Sequence, residues 1–161
     1  MKTITVNDVI YTLEYSFGAA EHKETVQNMF NIMSGAYLLK GVTDADVETQ
    51  KENIAIAMIE GTGDMISDVP RIVKSAFYAG LLENHSVSEE EAYLIMKEYM
   101  KKNKISFKKL FDDIKECMEE DGFFDLSGLT DMITEMNENL EPEKKSPKVP
   151  QDHKKKSTST K

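Results

Sequence analysis

The chain opens on MKTITVNDVIYTLEYSF, residues 1–17, and the alternation in that stretch decides how the rest is read. Thr3-Ile4-Thr5-Val6 and the run Val9 to Tyr15 both alternate polar with apolar positions, the period of a half-buried strand. Between them stand Asn7 and Asp8, which tolerate the positive φ that a two-residue hairpin turn demands. With Val6 opposite Val9, Ile4 falls opposite Tyr11 and Lys2 opposite Leu13. Ile4, Val6, Val9, Tyr11, Leu13 and Tyr15 then share one face, with Thr3, Thr5, Thr12 and Glu14 on the other. A lone hairpin is marginal in water, so its apolar face needs a second layer.

Helical spacing supplies that layer. Val26, Met29, Phe30, Met33 and Tyr37 recur along one helix face, with Gly41 as the stop. A second segment starts at Thr43, carries Val47, Ile54 and Met58, and breaks at Gly61-Thr62-Gly63. Residues 54–58 also alternate, which leaves a strand reading open there; the alanines favour helix. A third helix begins near Asp68 with Pro70 in its first turn, where a missing N–H is harmless. Its inner face is Ile72, Val73, Ala76, Phe77 and Leu81. Ser88-Glu89-Glu90-Glu91 is a capping box that opens a fourth helix, with Ala92, Ile95, Met96 and Tyr99 inward. Phe107, Leu110, Phe111, Ile114 and Met118 mark a fifth, closed by Gly122. Leu129, Ile133, Met136 and Leu140 mark a sixth. The fold class is therefore mainly α: an N-terminal β-hairpin packed on a bundle of about five to six helices.

Composition divides the chain in two. Residues 141–161 hold seven Lys and three acidic residues, a net +4, three of the four prolines, and one large apolar residue, Val149. Such a segment cannot offset its ordering entropy, so a disordered basic tail is expected after a helical domain spanning 1–140. Subtracting +4 from the total of −9 leaves −13 on residues 1–140. A body that acidic repels phosphate backbones, which argues against nucleic acid as a partner of the folded part. No stretch approaches the roughly 18 apolar residues of a membrane span, and residues 1–17 lack the apolar block of a signal peptide. The expectation is a cytoplasmic protein with no membrane partner. Of the ten Met, most are expected to fill helical cores, although a Met-rich surface also adapts to irregular partners.

Reactive constellations are hard to assemble. His22, His85 and His153 fall at a helix start, a loop and the tail, without metal-ligand spacing. There is no HExxH, phosphate loop or GxSxG pattern. Cys117 is alone, so it forms no internal disulfide, and its place beside Ile114 and Met118 reads as core filler. Asp121, Asp125, Ser127, Thr130 and Asp131 lie between two helices, as calcium ligands do. Counted from Asp121, however, position 6 is Leu126 and position 12 is Met132, where a calcium loop needs Gly and Glu. Gly122 and Gly128 are better read as helix-end and turn glycines. A non-enzymatic protein without cofactor or metal is expected. The better leads are aromatic. Tyr78 and Leu82 flank the inner face of the third helix, and Phe123 and Phe124 stand in a connecting loop. These four are the candidate protein-binding residues, with core burial as the alternative for each.

The hairpin ending Tyr15-Ser16-Phe17, the segment Val69-Pro70-Arg71-Ile72-Val73, the run Phe77-Tyr78-Ala79-Gly80-Leu81-Leu82 and the helix opening at Ser88 resemble the tail assembly chaperones of long-tailed, siphovirus-type bacteriophages of Gram-positive hosts. The similarity spans roughly residues 1–140, and its motifs are helix punctuation rather than a chemical signature. It implies a small protein of the host cytoplasm, absent from the mature virion. Such a protein binds the tape-measure protein, keeps it soluble and helps recruit tail-tube protein subunits, without catalytic residues. Self-association is a further expectation. The resemblance also implies a longer frameshifted form, for which the codons of Lys154, Lys155 and Lys156 are the place to look. A different class stays open beside it: a small acidic adaptor that mimics nucleic acid and blocks a DNA-binding partner.

Overall fold

Strands β1 (Lys2–Val6) and β2 (Val9–Leu13) pair antiparallel with Val6 opposite Val9, Ile4 opposite Tyr11 and Lys2 opposite Leu13. This is the register that the sequence predicts. Asn7 and Asp8 take φ of 49° and 64°, the left-handed pair a tight hairpin turn needs. Ile4, Val6, Leu13 and Tyr15 are buried and Tyr11 is half-buried. Val9 lies on the same face but projects past the covering layer beside the turn, and is exposed. The computed structural model of the chain describes residues 1–36 and 47–140, with the side chains of residues 47–59, 137, 139 and 140 outside the description. Several expectations fall beyond those limits: Tyr37, the stop at Gly41, the inner stripe of Val47, Ile54 and Met58, and the basic segment 141–161 with Lys154, Lys155 and Lys156.

Seven helices follow the hairpin among the described residues: α1 (Phe17–Glu21), α2 (Lys23–Met33), α3 (Val47–Leu81), α4 (Glu89–Asn103), α5 (Phe107–Glu120), α6 (Phe123–Leu126) and α7 (Leu129–Leu140). α3 is the central element. It touches β2, α1, α2, α4 and α5, while β1 rests on α4. Its predicted inner face is borne out, since Ile72, Val73, Ala76, Phe77 and Leu81 are fully buried. The capping box of α4 is present too. Ser88 Oγ accepts from the Glu91 N–H at 3.3 Å, and Glu91 accepts from the Ser88 N–H at 2.8 Å. The Ser88 N–H first, and then the Ser88 hydroxyl, which donates to the same carboxylate at 2.9 Å, hold the Glu91 carboxyl below its ordinary pKa. Cys117 is buried in the core as expected.

Three boundaries differ from expectation. The break at 61–63 and the start at Asp68 do not occur, because α3 runs unbroken through 35 residues, roughly 52 Å, and residues 54–58 are helical. A glycine costs a helix only about 1 kcal/mol, which turns on both sides can absorb. Pro70 stands inside α3 on its exposed side, so the acceptor it leaves unserved, the carbonyl of Ile66, lies where water reaches. α2 stops at Met33 because Gly35 turns left-handed at φ 69°. α1 and α6 are single turns too short to leave a periodic signal.

Long-range bonds fasten the hairpin to the helices. Two N–H groups at the β2 end are satisfied by the end of α3 and its connection to α4: Thr12 N–H donates to His85 Nε2 at 2.8 Å, and Glu14 N–H to the Gly80 carbonyl at 2.8 Å. Lys2 pairs with Asp113 at 3.1 Å, tying β1 to α5. At the end of α5, Asp121 accepts from the Met1 α-ammonium and, at 2.9 Å, from the Tyr15 N–H. Burial alone would raise the pKa of Asp121; these donors outweigh it and hold the carboxyl below its ordinary 3.8. A carboxyl depressed in the folded state adds stability that is complete above its unfolded pKa and lost as pH falls through the folded one. Asp121→Asn is therefore expected to lower stability at pH 7 by about 1 kcal/mol and to match the parent at strongly acid pH. Urea melts at neutral and acid pH check this; a deficit that stays constant across the range would contradict it.

Candidate functional site

Val26, Met29, Phe30 and Met33 share one face of α2, and Met29, on the flank of that face nearest the core, is buried. The stripe is only partly covered: Val26 and Phe30 are half-buried and Met33 is exposed. Across from it lies α7, whose Leu129 is buried but whose Met132 and Met136, one and two turns further on, are exposed. α7 packs on the body mainly through its first turns, where Gly128 at φ 72° and the 2.8 Å bond from Thr130 Oγ1 to Asp125 set its start. Between the two helices runs an open groove of about 490 Å³, lined by Ala20, Lys23, Val26, Gln27, Phe30, Leu129 and Met132. Phe17, on the side of α1 that carries Ala20, is 67% exposed and extends the apolar surface. Leu126 of α6, just before α7, is exposed as well.

The exposed side of α7 is acidic. α7 carries Asp131, Glu135 and Glu138 and has neither Lys nor Arg. Its C-terminal dipole end is negative and meets no basic residue in the last turn. Lys23 is the cation among the lining residues. Helix α5 differs, since its acids alternate with lysines: Lys108 pairs with Asp112, Lys109 with Asp113 and Lys115 with Glu119.

The four residues singled out from the sequence are split between two places. Tyr78 and Leu82 are half-buried and line one shallow cleft with Glu83, Asn84, His85, Ser86 and Val87, about 500 Å³ in volume. The Tyr78 ring meets the His22 ring edge-on at 5.4 Å. Phe123 is fully buried, packed edge-on against Tyr15 at 6.4 Å, so it is a core residue rather than a contact for partners. Phe124 packs on Phe123 at 5.4 Å and is half-buried. Two adjacent Phe in a one-turn helix cannot both point inward, and the left-handed Gly122, at φ 75°, sends the first one in. The groove residues Val26, Phe30 and Leu129 were readable only as inner stripes, and Met132 fell outside the stripe that marks the sixth helix. The signal for their exposure is that both stripes exceed what one neighbour covers.

Other clusters offer less. A small cavity of about 80 Å³ is bordered by His22, Arg71, Lys74 and Ser75, but Glu24 and Glu89 border it as well. Arg71 is already engaged by Glu24 at 3.2 Å and Asp68 at 3.4 Å. Among the described residues no group of three His, Cys, Asp or Glu is placed to hold a metal ion. Among them, too, no helix is long and apolar enough to cross a membrane. No protein-family model matches the chain, and no curated protein and no solved structure matches it.

Proposed function

We propose that this chain is a holding chaperone of the kind that serves tail assembly in long-tailed bacteriophages. It binds the tape-measure protein, keeps it soluble in the host cytoplasm and helps bring tail-tube subunits to it. The observation that carries this reading is the open apolar groove between α2 and α7, which Met132 lines, with Met33 and Met136 exposed on the same two helices. A long helical client exposes apolar stripes that aggregate unless covered. Flexible, polarizable Met side chains suit a surface that must accept several such stripes in turn. An acidic body adds repulsion between loaded copies and so keeps the complex in solution.

The acidic-mimic reading has less support. Its negative surface is interrupted by the lysine pairs along α5. The test of the holding role is co-expression with the tape-measure protein that this role requires as its client. The client is expected in the pellet when made alone and in the soluble fraction, co-purifying with this chain, when made together. A client equally insoluble in both situations would rule the role out.

A further inference from the structure

We infer that β1 pairs edge to edge with β1 of a second copy, so that two hairpins join into one antiparallel sheet about a two-fold axis. The pairing is independent of the holding role. The tight Asn7-Asp8 turn makes Val6 and Val9 a hydrogen-bonded pair, and such pairs recur at every second position, Ile4 with Tyr11 and Lys2 with Leu13. Thr3 and Thr5 therefore direct their N–H and C=O groups away from β2. Thr12 and Glu14 likewise direct their N–H groups away from β1, and there His85 and Gly80 accept them. On β1 no hydrogen bond among the described residues reaches the outward backbone of Thr3 or Thr5, and both residues are exposed.

The devices that keep a free edge from pairing are missing here. From Thr3 to Val6 there is neither charge nor proline, and the register runs from Lys2 to Val6 without a bulge. Lys2 does not guard the edge, because its side chain lies on the Ile4 face and is held by Asp113 at 3.1 Å. A second β1 fits what is left open. Thr3 set opposite Thr5 of the other copy, with Ile4 on the axis, uses the outward groups of both threonines in both strands and overlaps β1 along its whole length. Charge sets the antiparallel sense. Lys2 stands at one end of the strand and Asp8 beyond the other, so the Lys2 end of each copy comes beside the Asp8 turn of its mate. A parallel pair would set like charge beside like. The net charge of −9 on each copy opposes contact, which keeps the pair weak and reversible. Growth stops at two copies, because the end of α3 and its connection to α4 stand against the other edge of each hairpin.

Sedimentation equilibrium of the full chain is expected to show monomer and dimer in exchange, with a dissociation constant below about 1 mM. Hydrogen exchange at the Thr3 and Thr5 amides should slow as the concentration rises through that range. Thr5→Pro removes an outward donor that the monomer does not use, so it should leave the fold intact and weaken pairing by about tenfold or more. Two paired changes at exposed positions test the register without proline. Thr3→Lys with Thr5→Lys sets lysine against lysine across the axis, and should weaken pairing by about tenfold even though it reduces the net negative charge of each copy. Thr3→Glu with Thr5→Lys sets opposite charges face to face and should pair at least as tightly as the parent. A chain that stays monomeric to about 1 mM overturns the assignment. So does a dimer in which the Thr3 and Thr5 amides gain no protection, or one that both paired changes weaken equally.

Discussion

Leu13→Asp is expected to unfold most of the chain at temperatures where the parent is native. Leu13 is 1% exposed, on the hairpin face that rests against α3, and its carbonyl lies 3.9 Å from the Cys117 thiol. Among the described residues no cation is buried in the core, and Lys2, opposite Leu13 in the hairpin, already pairs with Asp113. Burying a carboxylate there costs several kcal/mol, or else it must be protonated or drag the hairpin into water. Against a domain stability of about 5–15 kcal/mol, that loss is decisive. Ile10→Asp is the matched control, on the opposite face and 63% exposed, where substitutions move stability by about 0.5 kcal/mol or less. Thermal melts followed by circular dichroism distinguish them. Equal melting of the two variants would mean that the faces are misassigned, because a one-residue slip exchanges them.

Gly80→Ala is expected to be the second most damaging single change. Alanine ordinarily improves a helix over glycine by about 1 kcal/mol. Here a Cβ on residue 80 would stand 2.7 Å from Cζ and 2.8 Å from the hydroxyl of Tyr15. That ring is fully buried, wedged between α3 and Phe123, so it has nowhere to retreat. Overpacking of this kind costs about 1–3 kcal/mol, and a contact this close belongs at the upper end, more than cancelling the helical gain. The two residues should therefore be coupled. Tyr15→Leu removes the opposing ring atoms, so Gly80→Ala in that background should cost at least about 1 kcal/mol less than in the parent. Additive losses in urea melts would show that glycine is not required by the ring.

The hairpin was legible from sequence because its determinants are local. A two-residue turn of Asn7 and Asp8 with alternation on both sides leaves a single register that gathers Ile4, Val6, Val9, Tyr11 and Leu13 on one face. The cap at Ser88 was legible for the same reason, since both its bonds close within four residues. The continuity of α3 was not. Gly61, Gly63 and Pro70 are each tolerable in a helix whose far side packs on five other elements, and that packing is invisible in residues 61–70 taken alone. The groove was hidden by the converse problem. The stripes of α2 and α7 look like core, and only the placement of α7 decides that Leu129 is covered while Met136 is not. Phe123 and Phe124 could not be told apart, because the rotation of a single turn is set by the backbone at Gly122.

The bond from the Tyr15 N–H to Asp121 joins residues 106 positions apart, and the Lys2–Asp113 pair is as remote. A chain emerging from the ribosome thus completes its first element last. At about 5–20 residues per second, the apolar side of the hairpin waits on the order of 5–20 s for α5 and the Asp121 latch to be made. During that interval it is shielded only by the helices already out, α1 to α4. Expression should accordingly be sensitive to the speed of translation between β2 and α5, with slower decoding there lengthening the exposure of an unfinished strand pair.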